Sequence, residues 1–263
     1  MFGFLWNTIL VNPILNGLIA LYRVFGNLGI SIFFLTVIIR GLLIPVVAPS
    51  MKAMKKQREL QPEINKLKEK FGHDKQLLAQ KQMDLFKEHG INPASGCLNQ
   101  IAMIMVLIAL YNVINKFTLH GTADVLNQSI YFPELKLAEN DIINTNFLYL
   151  NLAKPDPYFI LALLSGAFQF IASKMMIPYV EQAEKAAEKT PEKSDDIAMA
   201  MQQQSLYMMP IMNVIIGVTL PSGVVLYILT TTLFTIVQNY FISGLGGLKP
   251  WIHKLKKLGL NKR

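Results

Sequence analysis

The sequence predicts an all-α membrane protein with five transmembrane helices, an N-terminal amphipathic helix and a cytoplasmic helical hairpin. Three observations lead to this fold class. Only 16% of the 263 residues are charged, against about 25% in an average soluble domain. Hydrophobic residues make up 52% of the chain, which excludes a disordered protein. The basic residues lie mostly in alternate connections between apolar runs, as they do in proteins that cross a bilayer.

Five apolar runs approach the length of a helix that crosses a membrane. A hydrocarbon core of about 30 Å requires roughly 20 helical residues. The predicted spans are residues 28–48, 98–117, 158–179, 206–220 and 224–242. Pro221, Ser222 and Gly223 separate the last two, so we expect these two to form an antiparallel helical hairpin.

Residues 1–27 are apolar in a different way. Polar side chains interrupt the run at Asn7, Asn12, Asn16 and Arg23. Trp6 and Tyr22 are typical of membrane interfaces, and the run lacks the basic start and the cleavage site of a secretory signal peptide. We therefore predict an amphipathic helix that lies on the membrane surface. A sixth spanning helix is the alternative.

The basic residues define the orientation of the chain. Segments 50–90 and 181–202 and the tail after residue 248 hold 10, 3 and 6 Lys and Arg, together 19 of the 25. Five alternating spans place these segments on one face, which the positive-inside rule makes cytoplasmic. The predicted N-terminus is outside. Residues 28–243 form the five-span core, and residues 244–263 form a basic cytoplasmic tail.

Residues 51–90 are predicted to form the cytoplasmic hairpin. Leu60 and Ile64 begin an apolar stripe at helical spacing, while Gly72 and Asp74 are typical of a helix end and of the next N-cap. Two interpretations stay open. The helices either only cover a loop, or they form a basic arm that contacts anionic headgroups, the ribosome or an emerging peptide. The basic residues singled out for these contacts are Lys55, Lys56 and Arg58.

Arg40 is the charged residue that lies deepest in a predicted span. It stands eight residues before the end of its run, roughly 12 Å from the inner boundary. Exposed to lipid there, it would cost about 3 kcal/mol. Either the guanidinium snorkels to the headgroups, or it faces a water-filled cavity between helices, and the distance favours the cavity.

The spans hold few other candidates for chemistry. All 17 Asp and Glu lie outside them, unlike the midplane carboxylates of proton pumps and cation transporters. A hydrophilic groove would combine Arg40 with Thr36, Gln100 and Gln169, although each amide alone is better explained by an interhelical hydrogen bond. No catalytic, nucleotide or dinucleotide motif occurs, and one cysteine excludes a Cys-based zinc site. We therefore expect no enzymatic activity, no cofactor and no metal.

Six short stretches resemble one known family in their order and spacing. They are FLWNTILVNP (4–13), LTVIIR (35–40), MKK with ELQPE (54–63), KEHGINP (87–93), PDPY (155–158) and LPSGVVLY (220–227). Together they resemble the YidC membrane-protein insertases, with their mitochondrial oxidase-assembly and chloroplast albino-type relatives. The resemblance extends from about residue 2 to residue 244.

The resemblance implies a five-helix core whose hydrophilic groove opens to the cytoplasm and to lipid. The family's groove arginine falls on Arg40, and a threonine of the same helix falls on Thr36. The third and fifth spans would form an apolar slide for the substrate's transmembrane segment. The slide residues expected here are Phe168, Tyr227 and Ile228. At Ile228 many members carry an aromatic residue.

The implied location is the bacterial cytoplasmic (inner) membrane. The implied partners are nascent membrane proteins and the lipid bilayer, with the ribosome and the general secretion translocon as further candidates. Neither sequence-specific nucleic acid nor a small-molecule substrate is expected.

Two other function classes remain as alternatives to an insertase. A small-molecule transporter is expected to show repeated halves and paired broken helices, and the sequence shows neither. A passive assembly scaffold needs no arginine within a span. The sequence therefore favours an insertase that works without nucleotide hydrolysis.

Overall fold

The structure is a computed structural model that describes residues 2–92, 95–119, 126–138, 143–176, 204–249 and 251. The helices in these ranges are α1 (Phe2–Trp6), α2 (Asn12–Phe25), α3 (Leu28–Glu59), α4 (Gln61–Phe71), α5 (Lys75–Glu88), α6 (Ser95–Leu119), α7 (Ile160–Met176), α8 (Met209–Thr219) and α9 (Ser222–Ser243). One π-helical turn, Asn7–Val11, joins α1 to α2, and another, Gln204–Met208, precedes α8. Short 3-10 turns occupy Pro133–Leu135 and Gly246–Leu248. Strands β1 (Asn146–Phe147) and β2 (Leu150–Asn151) pair antiparallel.

The prediction of a helical membrane protein is confirmed. Three helices are long and apolar enough to cross a bilayer: Gly3–Phe25, Leu28–Gln57 and Ser222–Ile242. Shorter apolar helices occupy Ile101–Lys116, Ile160–Met176 and Leu206–Thr219. Each of the five predicted spans thus contains an apolar helix, while the number and the direction of the crossings stay predictions.

The chain divides into two compact units. Unit 1 comprises Met1–Ile44, Gln100–Phe168 and Ile211–Phe234, and unit 2 comprises Pro45–Asn99, Gln169–Pro210 and Thr235–Arg263. The predicted basic tail and the connection 181–202 fall outside the described residues, except for the start of the tail.

The core of unit 1 is built around one face of the N-terminal segment. Leu15, Leu18 and Ile19 of α2 are fully enclosed, at the spacing of a helix face. They belong to one cluster with side chains of α3, α6 and α9, among them Ile32, Val113 and Val224. The opposite face exposes large apolar side chains at Phe4, Ile9 and Val24. The segment is therefore one-sided, but its outer face is apolar rather than charged.

Polar residues of the N-terminal segment bind the connection between α6 and α7. The Asn16 amide donates to the Ser129 carbonyl and accepts from the Tyr131 N–H, both at 2.8 Å. Arg23 donates to the Lys136 carbonyl at 2.7 Å. These side chains interrupt the apolar run because they satisfy backbone groups of the connection, which would otherwise be left unpaired.

Helix α3 is longer than the sequence predicts. The span was expected to end at residue 48, yet one helix continues to Glu59 through Pro45 and Pro49. Proline removes a backbone donor, but membrane helices tolerate it because neighbouring groups satisfy the freed carbonyls. Residues 51–59 therefore belong to the same helix as the first predicted span, and the two helices of the hairpin are α4 and α5.

The hairpin in unit 2 has a small core of its own. Leu60, Ile64, Phe86 and Ile91 are buried together, as the apolar stripe predicts. Asp74 is the N-cap of α5, and its carboxylate accepts from the N–H groups of Gln76 and Leu77 at 3.1 and 3.0 Å. The N-cap prediction is confirmed.

Gly72 ends α4 in a different way from the one expected. A glycine that follows a helix usually adopts a left-handed conformation, whereas Gly72 has φ −61°. A Cβ at this position would lie 2.6 Å from the Lys68 carbonyl oxygen. Close approach of the backbone therefore explains this glycine.

The turn between α8 and α9 is bound to the connection that precedes α7. Ser222 donates to the Lys154 carbonyl from its N–H at 2.8 Å and from its hydroxyl at 2.7 Å. The Gly223 N–H donates to the Leu152 carbonyl at 2.9 Å. A Cβ at Gly223 would lie 3.0 Å from that same oxygen. The turn requires glycine because the two backbones pack directly on each other.

Asp156 organises the start of α7. Its buried carboxylate accepts from the N–H groups of Tyr158 and Leu161 at 3.0 and 2.8 Å, and from the Tyr149 hydroxyl at 3.2 Å. Burial, this hydrogen bond and the charge of Asp156 all raise the pKa of the Tyr149 phenol. The carboxylate thus joins the β1–β2 hairpin to the first turn of α7.

Two glycines of α3 provide a matched test of the packing in unit 1. The ring of Phe147 occupies the space that a Cβ at Gly29 would need, whereas nothing lies within 4 Å of a Cβ at Gly41. We expect Gly29→Ala to lower the free energy of unfolding by about 1–3 kcal/mol. Gly41→Ala should leave it unchanged or raise it by up to about 1 kcal/mol, because alanine favours a helix. Thermal unfolding in detergent, followed by circular dichroism, measures both. Equal effects of the two substitutions would contradict the Phe147 contact.

Candidate functional site

Arg40 lies inside unit 1 and points toward α9. Only 5% of the residue is exposed. One guanidinium nitrogen, Nη2, lies 3.4 Å from the carbonyl oxygen of Thr231. The guanidinium carbon lies 5.9 Å from the centre of the Phe234 ring, within the range of a cation–π contact. In this arrangement the guanidinium is enclosed between two helices.

The contact with Thr231 is a loose one for a charged donor. Hydrogen bonds from guanidinium to an oxygen anion are usually about 2.7–2.9 Å long, and the Arg40–Thr231 distance is 3.4 Å. A carboxylate that reached Arg40 could accept two parallel N–H bonds at the shorter distance. A carboxylate would therefore be a stronger acceptor for the guanidinium than the Thr231 carbonyl is.

Thr36 lies one helical turn before Arg40 and is also buried. Its hydroxyl donates to the Ile32 carbonyl of its own helix at 2.6 Å. A hydroxyl has one donor and two acceptor positions, so Thr36 presents acceptor lone pairs rather than a proton. Thr36 adds polarity next to Arg40 without adding charge.

A run of three threonines on α9 belongs to the same unit. Thr230, Thr231 and Thr232 are all buried, and the hydroxyls of Thr230 and Thr232 donate to carbonyls one turn earlier at 2.8 and 2.9 Å. These three threonines were not among the residues predicted for the site. Three consecutive threonines in an otherwise apolar span were the available signal.

Besides Asn16 on α2 and Ser222 at the start of α9, seven buried polar residues lie on α3, α7 and α9 of unit 1. We call them the polar set: Ser31, Thr36 and Arg40 on α3, Ser165 on α7, and Thr230, Thr231 and Thr232 on α9. Within the described residues, the Ser165 hydroxyl has no hydrogen-bond partner. Unsatisfied buried hydroxyls are uncommon because they cost free energy. A bound water or a polar ligand usually supplies the missing hydrogen bond of such a hydroxyl.

The residues predicted to form the slide take two kinds of position. Tyr227 and Ile228 are buried in the core of unit 1, and the Tyr227 hydroxyl donates to the Met103 carbonyl on α6 at 3.3 Å. Phe168 on α7 is half-buried. The apolar side chains that α7 exposes are Ile160, Leu163 and Leu164. A substrate could reach Tyr227 and Ile228 only after α9 had separated from its neighbours.

The remaining predicted residues either belong to unit 2 or have side chains outside the described ones. Gln169 is half-buried and belongs to unit 2, and the side chain of Gln100 lies outside the described ones. Lys55 and Lys56 are exposed near the end of α3, while the side chain of Arg58 is outside the described part as well. Across the described ranges, no group of three or more His, Cys, Asp or Glu could hold a metal.

Comparisons with known proteins agree on one family. The sequence model of the 60Kd inner membrane protein family matches residues 20–246. The membrane protein insertase YidC of Fusobacterium nucleatum is 34% identical over 221 residues, which are 84% of this chain and 88% of that protein. The membrane protein insertase MisCA of Bacillus subtilis is 29% identical over 244 residues, 91% of this chain and 79% of MisCA.

Longer relatives match over a part of their length. The insertase YidC of Geobacter sulfurreducens is 29% identical over 238 residues, which are 90% of this chain and 38% of that protein. A crystal structure of an active YidC insertase, with its first transmembrane domain resolved, matches with a TM-score of 0.53 and 25% identity. That match covers 88% of this chain and 46% of the other. The chain therefore spans less than half the length of these two relatives.

Substitutions of Arg40 show how its charge and its side-chain volume each affect the stability of the fold. Arg40→Met keeps a long side chain and removes the charge. Because a buried charge carries a desolvation penalty, we expect the midpoint of thermal unfolding in detergent to stay equal or to rise. Arg40→Ala also leaves a cavity, and should lower the free energy of unfolding by about 2 kcal/mol or more. If methionine destabilises as much as alanine does, the charge itself stabilises the fold.

Proposed function

The chain belongs to the 60Kd inner membrane protein family, that of the YidC insertases, and we propose that it inserts integral membrane proteins into the bilayer and assists their folding. The observation that carries the proposal is the family match over residues 20–246 together with an enclosed arginine among polar side chains. Nascent membrane proteins are the substrates, and the bacterial cytoplasmic membrane is the location.

The proposed topology has five spans, with the N-terminus outside and the C-terminus in the cytoplasm. It is supported by the 19 of 25 basic residues that fall in alternate connections and by an apolar helix in each of the five runs. In this topology the connection between α6 and α7 is outside, and the hairpin α4–α5 is in the cytoplasm. In the proposed organisation, residues 1–27 form the N-terminal segment and residues 28–243 form the five-span core. Residues 244–263 form the basic tail.

The N-terminal segment is proposed to lie along the membrane surface. Its contacts with the connection between α6 and α7 are spread from Thr8, whose carbonyl accepts from the Tyr131 hydroxyl at 3.5 Å, to Arg23. Those two positions are about 22 Å apart along a helix. A helix that crossed the bilayer would meet an extramembrane connection at one end only. Contacts along most of its length favour a helix parallel to the surface.

Arg40 is proposed to receive an acidic segment of the substrate. The loose contact with Thr231 would be replaced by a carboxylate with two short bonds. The Thr231 carbonyl oxygen and the Phe234 ring face are two of the groups that contact the guanidinium, and neither carries a net charge that neutralises it. A polar segment that is held in this way crosses less apolar material than it would in lipid.

The driving force is proposed to come from partition and from the membrane potential. Burial of apolar surface lowers the free energy by about 25 cal/mol per Å². The free energy of a substrate helix therefore falls as it passes along the third and fifth spans into lipid. A potential of 100 mV contributes about 2.3 kcal/mol per charge. Because the inside is negative, the potential moves an acidic segment outward. No nucleotide hydrolysis is required.

The hairpin α4–α5 is proposed to receive the substrate on the cytoplasmic face. Exposed Lys55 and Lys56 lie near the end of α3, just before the hairpin, and the hairpin has its own core, so it can keep its shape while it contacts other molecules. Anionic headgroups, the ribosome and the secretion translocon are its candidate partners.

Arg40 is tested with two substrates that differ in charge. The assay measures insertion into proteoliposomes of a single-span client with an acidic outer segment and of the same client with the acids replaced by amides. A hydrogen bond to a charged group is worth about 1.5–3 kcal/mol, so Arg40→Met should slow insertion of the acidic client about tenfold or more. Insertion of the neutral client should change little. Arg40→Lys keeps the charge, so its insertion rate for the acidic client should lie between that of the wild-type protein and that of Arg40→Met. The same loss for both clients would mean that Arg40 is not an electrostatic receptor.

The slide is tested by photo-crosslinking to an arrested nascent chain. A crosslinker at Phe168 or Leu164 of α7 should react with the client's transmembrane segment. Ile104 of α6 is exposed as well and serves as the matched control, where we expect no product. At Tyr227 a product should form only when a client is engaged, since that side chain is buried in the structure. Equal products at positions 164 and 104 would contradict a defined slide.

A further inference from the structure

The β1–β2 hairpin and the residues before α7 expose large apolar and aromatic side chains. We call Leu148, Tyr149, Tyr158 and Phe159 the hairpin patch. Leu148 is 84% exposed and Tyr158 is 68% exposed, and the other two are exposed as well. The rings of Tyr149 and Tyr158 are in contact, with their centres 5.9 Å apart. Surface side chains of this kind usually mark an interaction site when they are contiguous.

Two members of the patch have a strained backbone. Leu148 has φ +54° and Phe159 has φ +56°, and in the described ranges every other residue with a positive φ is a glycine. The left-handed conformation costs a bulky residue of order 1 kcal/mol or more. Neither residue gains burial in return, because both side chains are exposed. Glycine or asparagine would adopt this conformation at lower cost, so folding alone does not account for leucine and phenylalanine here.

The hairpin that carries the patch is held rigidly in unit 1. The ring of Phe147 packs directly over Gly29 of α3, and the Leu152 N–H donates to the Thr145 carbonyl at 2.9 Å. The Tyr149 hydroxyl donates to the buried carboxylate of Asp156 at 3.2 Å. These contacts fix the direction in which Leu148 and Tyr149 project.

The patch is continuous with an exposed apolar surface of α7. On α7 the next exposed side chains are Ile160, Leu163 and Leu164, all apolar. A charged residue would disfavour burial of the hairpin in a membrane, and none occurs between residues 143 and 153. Tyrosine is enriched where a membrane meets water, and the two tyrosines of the patch lie at the end of an apolar helix. A lipid surface therefore fits the patch better than a second protein does.

We propose that the hairpin patch inserts into the headgroup region of the leaflet at this end of unit 1 and holds the protein at a fixed depth in the bilayer. Leu148 and Phe159 reach the boundary with the acyl chains, and the hydroxyls of Tyr149 and Tyr158 stay among the headgroups. The strained backbone keeps the two apolar side chains directed into lipid. This anchor is independent of substrate insertion, and its test does not use a client.

The depth of the patch is measured with a fluorescent label in proteoliposomes. Cys97 is the single cysteine, so Cys97→Ser provides the background for Leu148→Cys and for Glu134→Cys, an exposed acidic position in the same connection. Each cysteine carries an environment-sensitive dye, and the vesicles contain lipids brominated at a shallow or a deep position. At position 148 we expect a blue-shifted emission and strong quenching by the shallow bromines. At position 134 we expect neither.

Two outcomes would overturn the proposal. A dye at position 148 that is as exposed to water-soluble quenchers as the dye at position 134 would show that the patch lies outside the membrane. A dye that is shielded from water but not quenched by brominated lipid would show that another protein, or a second copy of this chain, covers the patch.

A second set of variants tests the role of Leu148 itself. Asparagine tolerates the left-handed conformation but is not apolar, so Leu148→Asn should keep the unfolding midpoint in detergent. With the dye at Tyr158→Cys, Leu148→Asn should reduce quenching by the brominated lipids at least twofold, whereas Leu148→Met should leave it unchanged. Equal quenching in the two variants would show that Leu148 does not hold the patch in the membrane.

Discussion

The structure depends on how one positive charge is accommodated in an apolar helical unit. Arg40 is enclosed against α9, where its charge is separated from bulk water. A charge in such a place is tolerated only when polar groups or aromatic faces surround it. The Thr231 carbonyl and the Phe234 ring supply two such groups, and buried Thr36 lies one helical turn from Arg40. Arg40 therefore adds an electrostatic contact between α3 and α9 to a mainly hydrophobic core.

The elements that the sequence predicts correctly are those controlled by local rules. Helical periodicity identifies the apolar helices and the stripe of α4, and Asp74 is found as an N-cap because a cap requires only the next few residues. The end of α3 was not predicted because the apolar run ends at residue 48, whereas the helix continues through charged residues to Glu59. The start of the hairpin moved accordingly.

The parts that could not be predicted depend on distant partners. Asn16 reads in the sequence as an interruption of an apolar run, but its amide binds residues 113 and 115 positions away. For the candidate site, Arg40 and Thr36 could be chosen from one sequence because charge and polarity in a span are visible there. Thr231 and Phe234 could not, because their importance comes only from their approach to Arg40 across 191 and 194 positions.

The hydrogen bonds in unit 1 have different lengths at the turn before α9, which stays closed, and at Arg40, where a substrate group is proposed to bind. The turn before α9 is held to the connection before α7 by bonds of 2.7–2.9 Å from Ser222 and Gly223, and a close backbone approach leaves no room for movement there. The contact of Arg40 with the Thr231 carbonyl is longer, at 3.4 Å, and it is the one that a substrate carboxylate is proposed to replace. An insertase needs both properties in one body, because a polar segment must be admitted while the membrane stays sealed. The same helix, α9, provides them at two positions nine residues apart, since Ser222 begins it and Thr231 lies two and a half turns further along.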